Sequence, residues 1–398
     1  MKTRKNFMWV ELVLDKRLIH FKYSDSFLAT PYNLSPIRLP LGKDIYTGHP
    51  NLFDGLPGLF YDSLPDSWGK LLLDKTLSRK SVNPKSLNSL DRLMYVGRNG
   101  PGALVYTPAT QESEETSFDI HLDILAEESN AIIQGAETEA VEKLYALGGS
   151  SGGARPKVTV LYHPKQQSII FGSKSAPGYE HWLIKFPSAF DEPDIAHIEY
   201  AYYLMAIEAG IEMMPSKLIK GASGKSYFGT KRFDRDAHQR FHVHSAAGLL
   251  HDDFRYSQMD YGHLMDAGFE LTRHVKTHES IMRLAAFNLY THNRDDHSKN
   301  VAFMMDQTGK WKFAPAYDLT FSTSSQGHHS TTFAGESLNP TSAHLHELAR
   351  TFGVSNVKSI VESIKSVTKN WNHFANEAGV SKASKHKIEQ SLNALLVV

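Results

Sequence analysis

The string His292-Asn293-Arg294-Asp295-Asp296-His297-Ser298-Lys299-Asn300, followed by Ala316-Tyr317-Asp318-Leu319, constrains this chain more than any other stretch. It holds Arg-Asp-x-x-x-x-Asn, then an Asp flanked by apolar residues 18 positions beyond Asn300. The five-residue step from Asp295 to Asn300 lets a carboxylate face an acceptor hydroxyl while an amide oxygen faces a metal. Residues 301–305 and 311–313 read as two short strands joined by Gln307-Thr308-Gly309, a hairpin that can return Asp318 to Asn300. Oxygen donors converging in this way suit Mg²⁺. Upstream, 278–292 carries Ile281, Leu284, Ala285, Asn288 and Leu289 on one helical face and runs straight into the string. Taken alone, the string also fits a capping Asp and a surface Asn around a turn. With the hairpin and Asp318 at this distance, it has the parts that phosphoryl transfer from ATP requires.

Composition narrows the setting. At 398 residues the chain is long enough for two or three domains. Lys plus Arg and Asp plus Glu balance at 43 each, so no overall field draws it to a polyanion, and little unaided nucleic-acid binding is expected. The absence of cysteine excludes disulfides, thiolate nucleophiles and cysteine metal sites, and makes a reducing cytoplasm the expected location. The start, Met1-Lys2-Thr3-Arg4-Lys5, is basic, but Glu11, Asp15, Lys16 and Arg17 interrupt the apolar stretch that a signal peptide would need. No segment reaches membrane-spanning length free of charge, so no membrane association is expected.

Along the chain, 7–14 and 17–23 read as strands around an Asp15-Lys16 turn. Helices are expected from Pro65, with Asp66 or Ser67 as cap, and over 86–96, ending at Gly97. The acidic stretch 107–117 is a linker or exposed loop. One or two helices follow over 119–147, then strands near 158–162, 168–171, 182–186, 215–220 and 226–233, with a helix from Asp194 to Gly210 among them. From about 259 the pattern is mainly helical, including 341–396. The expected fold is α+β: a bilobal, protein-kinase-like arrangement with a strand-rich N-terminal lobe and an all-helical C-terminal lobe. Its units are an α+β subdomain at 1–107, an N-lobe at 118–235 and a C-lobe at 236–398.

Three further motifs bear on chemistry. Gly148-Gly149-Ser150-Ser151-Gly152-Gly153-Ala154-Arg155-Pro156-Lys157 can bring backbone N–H groups close to a phosphate, and read alone it serves equally as a flexible linker. It matches neither Gly-x-x-x-x-Gly-Lys-Ser/Thr nor Gly-x-Gly-x-x-Gly. Lys185 stands in an otherwise apolar strand, Trp182-Leu183-Ile184-Lys185-Phe186, where an unpaired cation is costly; Glu199 on the next helix is the expected partner. Lys231-Arg232-Phe233 could be a hinge against adenine or simply a charged strand end. Of the 21 histidines, His242-x-His244 and His328-His329 lack further ligands at zinc-site spacing, whereas His297 lies inside the central string and can orient it or touch a phosphate.

In one order, these motifs resemble the HipA family of bacterial serine/threonine protein kinases. The residues that carry the likeness are 150–157 (Ser-Ser-Gly-Gly-Ala-Arg-Pro-Lys), 183–187, 231–235, 295–300 and 315–319, with Leu64-Pro65-Asp66-Ser67-Trp68-Gly69 and 96–103 in the N-terminal part. The resemblance implies Asp295 as the catalytic proton acceptor, Asn300 and Asp318 as Mg²⁺ ligands, and Lys185 on the ATP phosphates. It implies an ATP site lined by Gly152, Gly153, Ala154, Arg155, Pro156, Lys157, Lys231, Arg232, Phe233, His297, Ser298, Lys299, Asn300, Tyr317 and Asp318. It further implies autophosphorylation at Ser150 or the adjacent Ser151. The expected partners are a HipB-like helix-turn-helix antitoxin, through it operator DNA, and a protein substrate such as an aminoacyl-tRNA synthetase. Lys231 departs from the Glu that some members carry at the hinge. Two other readings stay open: a small-molecule phosphotransferase of the aminoglycoside-kinase type, and a catalytically idle antitoxin-binding module.

Overall fold

The computed structural model of the protein describes residues 10–15, 18–110, 121–149, 152–171, 175–237, 239–324 and 327–397. Ser150 and Ser151 lie outside these residues, as do the Asp15-Lys16 turn beyond Asp15 and most of the acidic stretch after Thr107.

Five described strands build one antiparallel sheet in the order Ser168–Ile170, Lys157–His163, Glu180–Lys185, Ser226–Lys231, Ser216–Lys220. Side chains alternate across a strand, so register decides what each face carries. Val158 pairs with Ile184 and Val160 with Trp182, and all four are buried on one face. The opposite face, where Lys157 pairs with Lys185 and Thr159 with Leu183, lines a cleft.

The apolar face is covered by Leu122–Ile133, Val141–Gly148 and Ser67–Arg79. The last helix falls within the expected 1–107 subdomain, yet its Trp68, Leu72, Leu73 and Leu77 complete the core of the sheet. Truncating fully buried Leu72 to Ala should cost about 2–5 kcal/mol.

The helix Ile195–Glu208 is apolar almost all round because it is packed on both sides. It touches the sheet strand Ser226–Lys231 and the helix Trp371–Ala378. Its Ile198, Tyr202 and Met205 share a core with Lys276–Tyr290 and the C-terminal helices. Asp194 sits at the cap position, but its carboxylate accepts from Ser381 N at 2.8 Å and Ser384 Oγ at 2.7 Å, tying this helix to the chain's last one.

The C-terminal half holds Tyr261–Thr272, Lys276–Tyr290, Ser342–Phe352, Val357–Lys369, Trp371–Ala378 and Lys382–Leu395. It is not all helical. The strand His242–Ser245 pairs with Ala302–Met305, which pairs with Trp311–Phe313. His-Val-His-Ser is too short to show a period of its own and becomes a strand only through a partner some sixty positions away.

The N-terminal part pairs Val10–Asp15, Leu18–Tyr23 and Tyr46–Thr47 around Phe21, Tyr23, Phe27 and Phe60. It joins the rest of the chain through close and specific contacts. Gly58 meets Gly248 so tightly that a Cβ on Gly58 would lie 2.1 Å from the Gly248 carbonyl oxygen. Asp62 Oδ2 lies 2.6 Å from His244 Nδ1 and accepts Ser245 N–H at 2.7 Å, while Oδ1 accepts Ser245 Oγ at 2.5 Å.

Candidate active site

Two lysines on facing strands would repel each other. The surroundings remove that cost. Lys185 Nζ lies 3.1 Å from Glu199 Oε2 and 2.5 Å from Asp318 Oδ1. Glu199, with only 3% of its side chain exposed, turns its other oxygen to Arg155 Nη1 at 2.6 Å, and Arg155 Nε also reaches Asp191 at 3.0 Å. Lys157 donates to the Gly152 carbonyl. Burial works against the charge on Lys185, but Asp318 and Glu199 outweigh it and raise its pKa, so it stays protonated. Lys157, which is buried and faces Lys185, is instead pushed down. Gly153 has φ +97°, a backbone state that any other residue would adopt only with strain.

The central string begins where Lys276–Tyr290 ends. His292 and Arg294 pair their backbones with Ser322, just past Asp318. Asp296 is buried: its carboxylate takes Tyr261 OH at 2.9 Å, His329 Nδ1 at 3.0 Å, Ser330 N–H at 2.7 Å and Thr331 N–H at 3.3 Å. With that anchor below it, Asp295 faces outward with its side chain 57% exposed, 3.6 Å from His297 Nε2. Partial burial raises the Asp295 pKa, His297 opposes this, and Asp318 adds to it. Asn300 donates its amide N–H to the Asp295 carbonyl at 2.8 Å, which leaves the amide oxygen as the end able to take a cation. Asp318 has φ +55°, an uncommon backbone state that Asp tolerates better than most residues. Burial would raise its pKa, but Lys185, Lys157 and Arg155 overcome that and hold the carboxyl well below its usual range.

These groups share a cavity of about 520 Å³. Gly152, Gly153, Ala154, Arg155, Lys157 and Lys185 form its roof with Glu199, and Asp295, His297, Lys299, Asn300, Tyr317 and Asp318 its floor. Lys231, Arg232 and Phe233 stand at one side, where Phe233 and Tyr317 rings lie 5.8 Å apart. The hinge cations are already engaged: Lys231 Nζ with Glu180 at 2.7 Å, and Arg232 with both Asp234 oxygens at 2.8 and 2.7 Å. The N–H of Lys231 donates to Pro215 and that of Arg232 to His181, so neither is spare for adenine. Two expected residues lie off the wall. Ser298 is buried beneath the loop with its hydroxyl on Asp252 at 2.5 Å, and Pro156 uses its carbonyl to accept Phe186 N–H at 2.8 Å.

The sequence reading missed the cavity's third wall. Asp62, Ser63, Asp66, Asn99 and Pro101, all N-terminal, line it. Arg235 donates to the Gly100 and Gly102 carbonyls, each at 2.7 Å, and Arg240 to Arg98 at 2.8 Å, clamping this loop beside the hinge. The signal available was the 64–69 and 96–103 strings, which carried a likeness without showing where they pointed. Nor does local sequence mark Asp296 as the buried anchor of the loop. His242 and His244 hydrogen-bond to Leu34 and Asp62. Among the described residues, no group of three or more His, Asp or Glu side chains is placed to hold a metal. Asn300 and Asp318 instead offer an amide oxygen and a carboxylate, hard donors that fit Mg²⁺ completed by phosphate oxygens and water.

Comparison with known families gives two matches along the chain. A family model for the HipA N-terminal domain matches residues 10–107, and one for the HipA-like C-terminal domain matches residues 149–371. The chain belongs to the HipA family. Its fold is similar to that of HipA from Shewanella oneidensis MR-1, solved as a complex of HipA, HipB and operator DNA. That match has 16% identity and a TM-score of 0.68, covering 98% of this chain and 94% of that one. A partial likeness, too slight to argue from, links it to the Helicobacter pylori proinflammatory kinase CtkA (11% identity, TM-score 0.36, 55% of this chain and 87% of that one). No described helix is long and apolar enough to cross a membrane.

Proposed function

We propose that this protein is an ATP- and Mg²⁺-dependent serine/threonine protein kinase, acting in the cytoplasm as the toxin of a HipA/HipB-type pair. The observation that carries this reading is Lys185, held between Glu199 and Asp318 inside the cavity that Asp295 and Asn300 share. A fixed ammonium there suits the α- and β-phosphates. The acceptor hydroxyl oxygen bonds to the γ-phosphorus as the bond to the bridging oxygen breaks and ADP leaves, while Asp295 takes the hydroxyl proton. Its raised pKa makes it a better base than an ordinary Asp. Bound Mg²⁺, held by Asn300 and Asp318, would neutralise phosphate charge. Most of the rate enhancement then comes from positioning and electrostatics.

By likeness to the Shewanella complex, the partner is a HipB-like antitoxin bound to operator DNA. The substrate is a protein, with an aminoacyl-tRNA synthetase as the class implied. The test uses radiolabelled γ-phosphate ATP with the protein alone. Label on Ser150 or Ser151 that disappears in Asp295→Gln, with ATP binding retained, supports the reading. Full labelling in Asp295→Gln removes Asp295 from its role, and transfer to small aminoglycosides with none to protein removes the protein-kinase reading.

A further inference from the structure

We infer that Asp66 is a positioning residue of this site, a carboxylate latch through which the N-terminal part sets the geometry of the cleft; this rests on the phosphotransfer reading above. Asp66 stands at the cap position of Ser67–Arg79, where an Asp ordinarily accepts from the helix's own first N–H groups. It makes no such bond. Its Oδ1 accepts the Gly153 N–H at 2.5 Å, and its Oδ2 lies 3.2 Å from Lys299 Nζ. The Trp68 N–H, from the same helix end, reaches the Gly153 carbonyl at 3.5 Å. Both sides of the glycine loop at residue 153 are therefore held by one helix terminus.

Lys299 is equally fixed. Its ammonium lies over the Tyr61 ring at 5.0 Å and the Phe254 ring at 5.1 Å, and its carbonyl accepts the Tyr317 hydroxyl at 2.7 Å, next to Asp318. One carboxylate thus spans the cleft from the loop that covers phosphate to the loop that carries Asp295 and Asn300. Asp66 could instead occupy the place of a phosphate and block the site. That role would require it to withdraw when nucleotide binds. It stands at the cap of a helix whose backbone is anchored by buried Trp68, Leu72 and Leu73, and its two oxygens are engaged from both sides of the cleft, which favours a fixed latch over a removable plug.

The test uses the full chain and compares Asp66→Ala, Asp66→Asn and Lys299→Met with Arg38→Met. Arg38 donates to the Leu250 carbonyl at 3.1 and 2.9 Å, an N-terminal contact outside the cavity. Asp66→Ala should raise the KM for ATP about tenfold with kcat changed less than about threefold, and should speed amide exchange over 152–157 in the nucleotide-free chain. Asp66→Asn keeps an acceptor for Gly153 but loses the Lys299 pair, so it should fall between Asp66→Ala and wild type, close to Lys299→Met. Arg38→Met should lower melting temperature without changing KM or loop exchange. An unchanged KM with unchanged exchange overturns the latch, and a lower KM shows the blocking role instead. If Asp66→Ala does not fold, Asp66→Asn decides by the same criteria. If the wild-type chain does not use ATP, the phosphotransfer reading fails and loop exchange alone decides the latch.

Discussion

Adjacent aspartates in the central string should fail in opposite ways when neutralised. Asp296→Asn replaces a carboxylate that takes four donors, two on each oxygen. An asparagine that keeps its oxygen toward Ser330 and Thr331 presents an NH₂ to the Tyr261 hydroxyl and His329 Nδ1. Two buried bonds to a charge are lost, and leaving such groups unmatched costs roughly 1–3 kcal/mol each, so the expected loss is about 2–6 kcal/mol. That is a large share of the ~5–15 kcal/mol typical of a folded domain. Asp295→Asn removes a carboxylate that faces solvent and whose ionisation its surroundings oppose. Its stability should therefore match or slightly exceed wild type while phosphoryl transfer disappears. Urea unfolding of the two variants and wild type, beside a transfer assay on each, measures both effects. A loss below about 1 kcal/mol for Asp296→Asn, or an equal loss for Asp295→Asn, would refute the division between anchor and working group.

Three further outcomes follow from the geometry. Asp318→Ala strips Lys185 of its shorter ion pair and the site of a cation ligand; transfer should be lost, and Mg²⁺ should no longer change ATP affinity in a calorimetric titration. Gly58→Ala drives a methyl into the Gly248 carbonyl and should cost about 3 kcal/mol, read as a lower urea midpoint. Buried His242 has its pKa lowered from 6.5 to about 4, by burial first and His244 second. Below pH 6.5 the unfolded chain takes a proton there that the folded chain refuses until about pH 4, so stability is complete above 6.5 and declines through that window. The decline amounts to at most roughly 3 kcal/mol, and His242→Gln should flatten that part of a stability-against-pH curve.

The parts of the site carried by local strings were legible. Asp295, Asn300 and Asp318 are close in sequence, and the hairpin between the last two announces itself through strand-forming residues around a Gly turn. Lys185 was legible because a cation in an apolar strand needs a partner, and Glu199 lies at 3.1 Å from it. What was hidden depends on distant pairing. The strand His242–Ser245 has no pattern without Ala302–Met305. Asp66 looks like an ordinary helix cap, and only the folded chain shows its carboxylate turned to Gly153 and Lys299. Arg155 lines the cavity and also shares Glu199 with Lys185, a triangle that spacing alone cannot reveal.

The place of Ser67–Arg79 has a practical consequence. Because Trp68, Leu72, Leu73 and Leu77 share the cover of the five-stranded sheet with Leu122–Ile133 and Val141–Gly148, a fragment begun in the acidic stretch after Thr107 would be born with part of that apolar side bare to water. Such a truncated protein should aggregate on expression, and adding back residues 10–107 as a separate polypeptide should rescue its solubility.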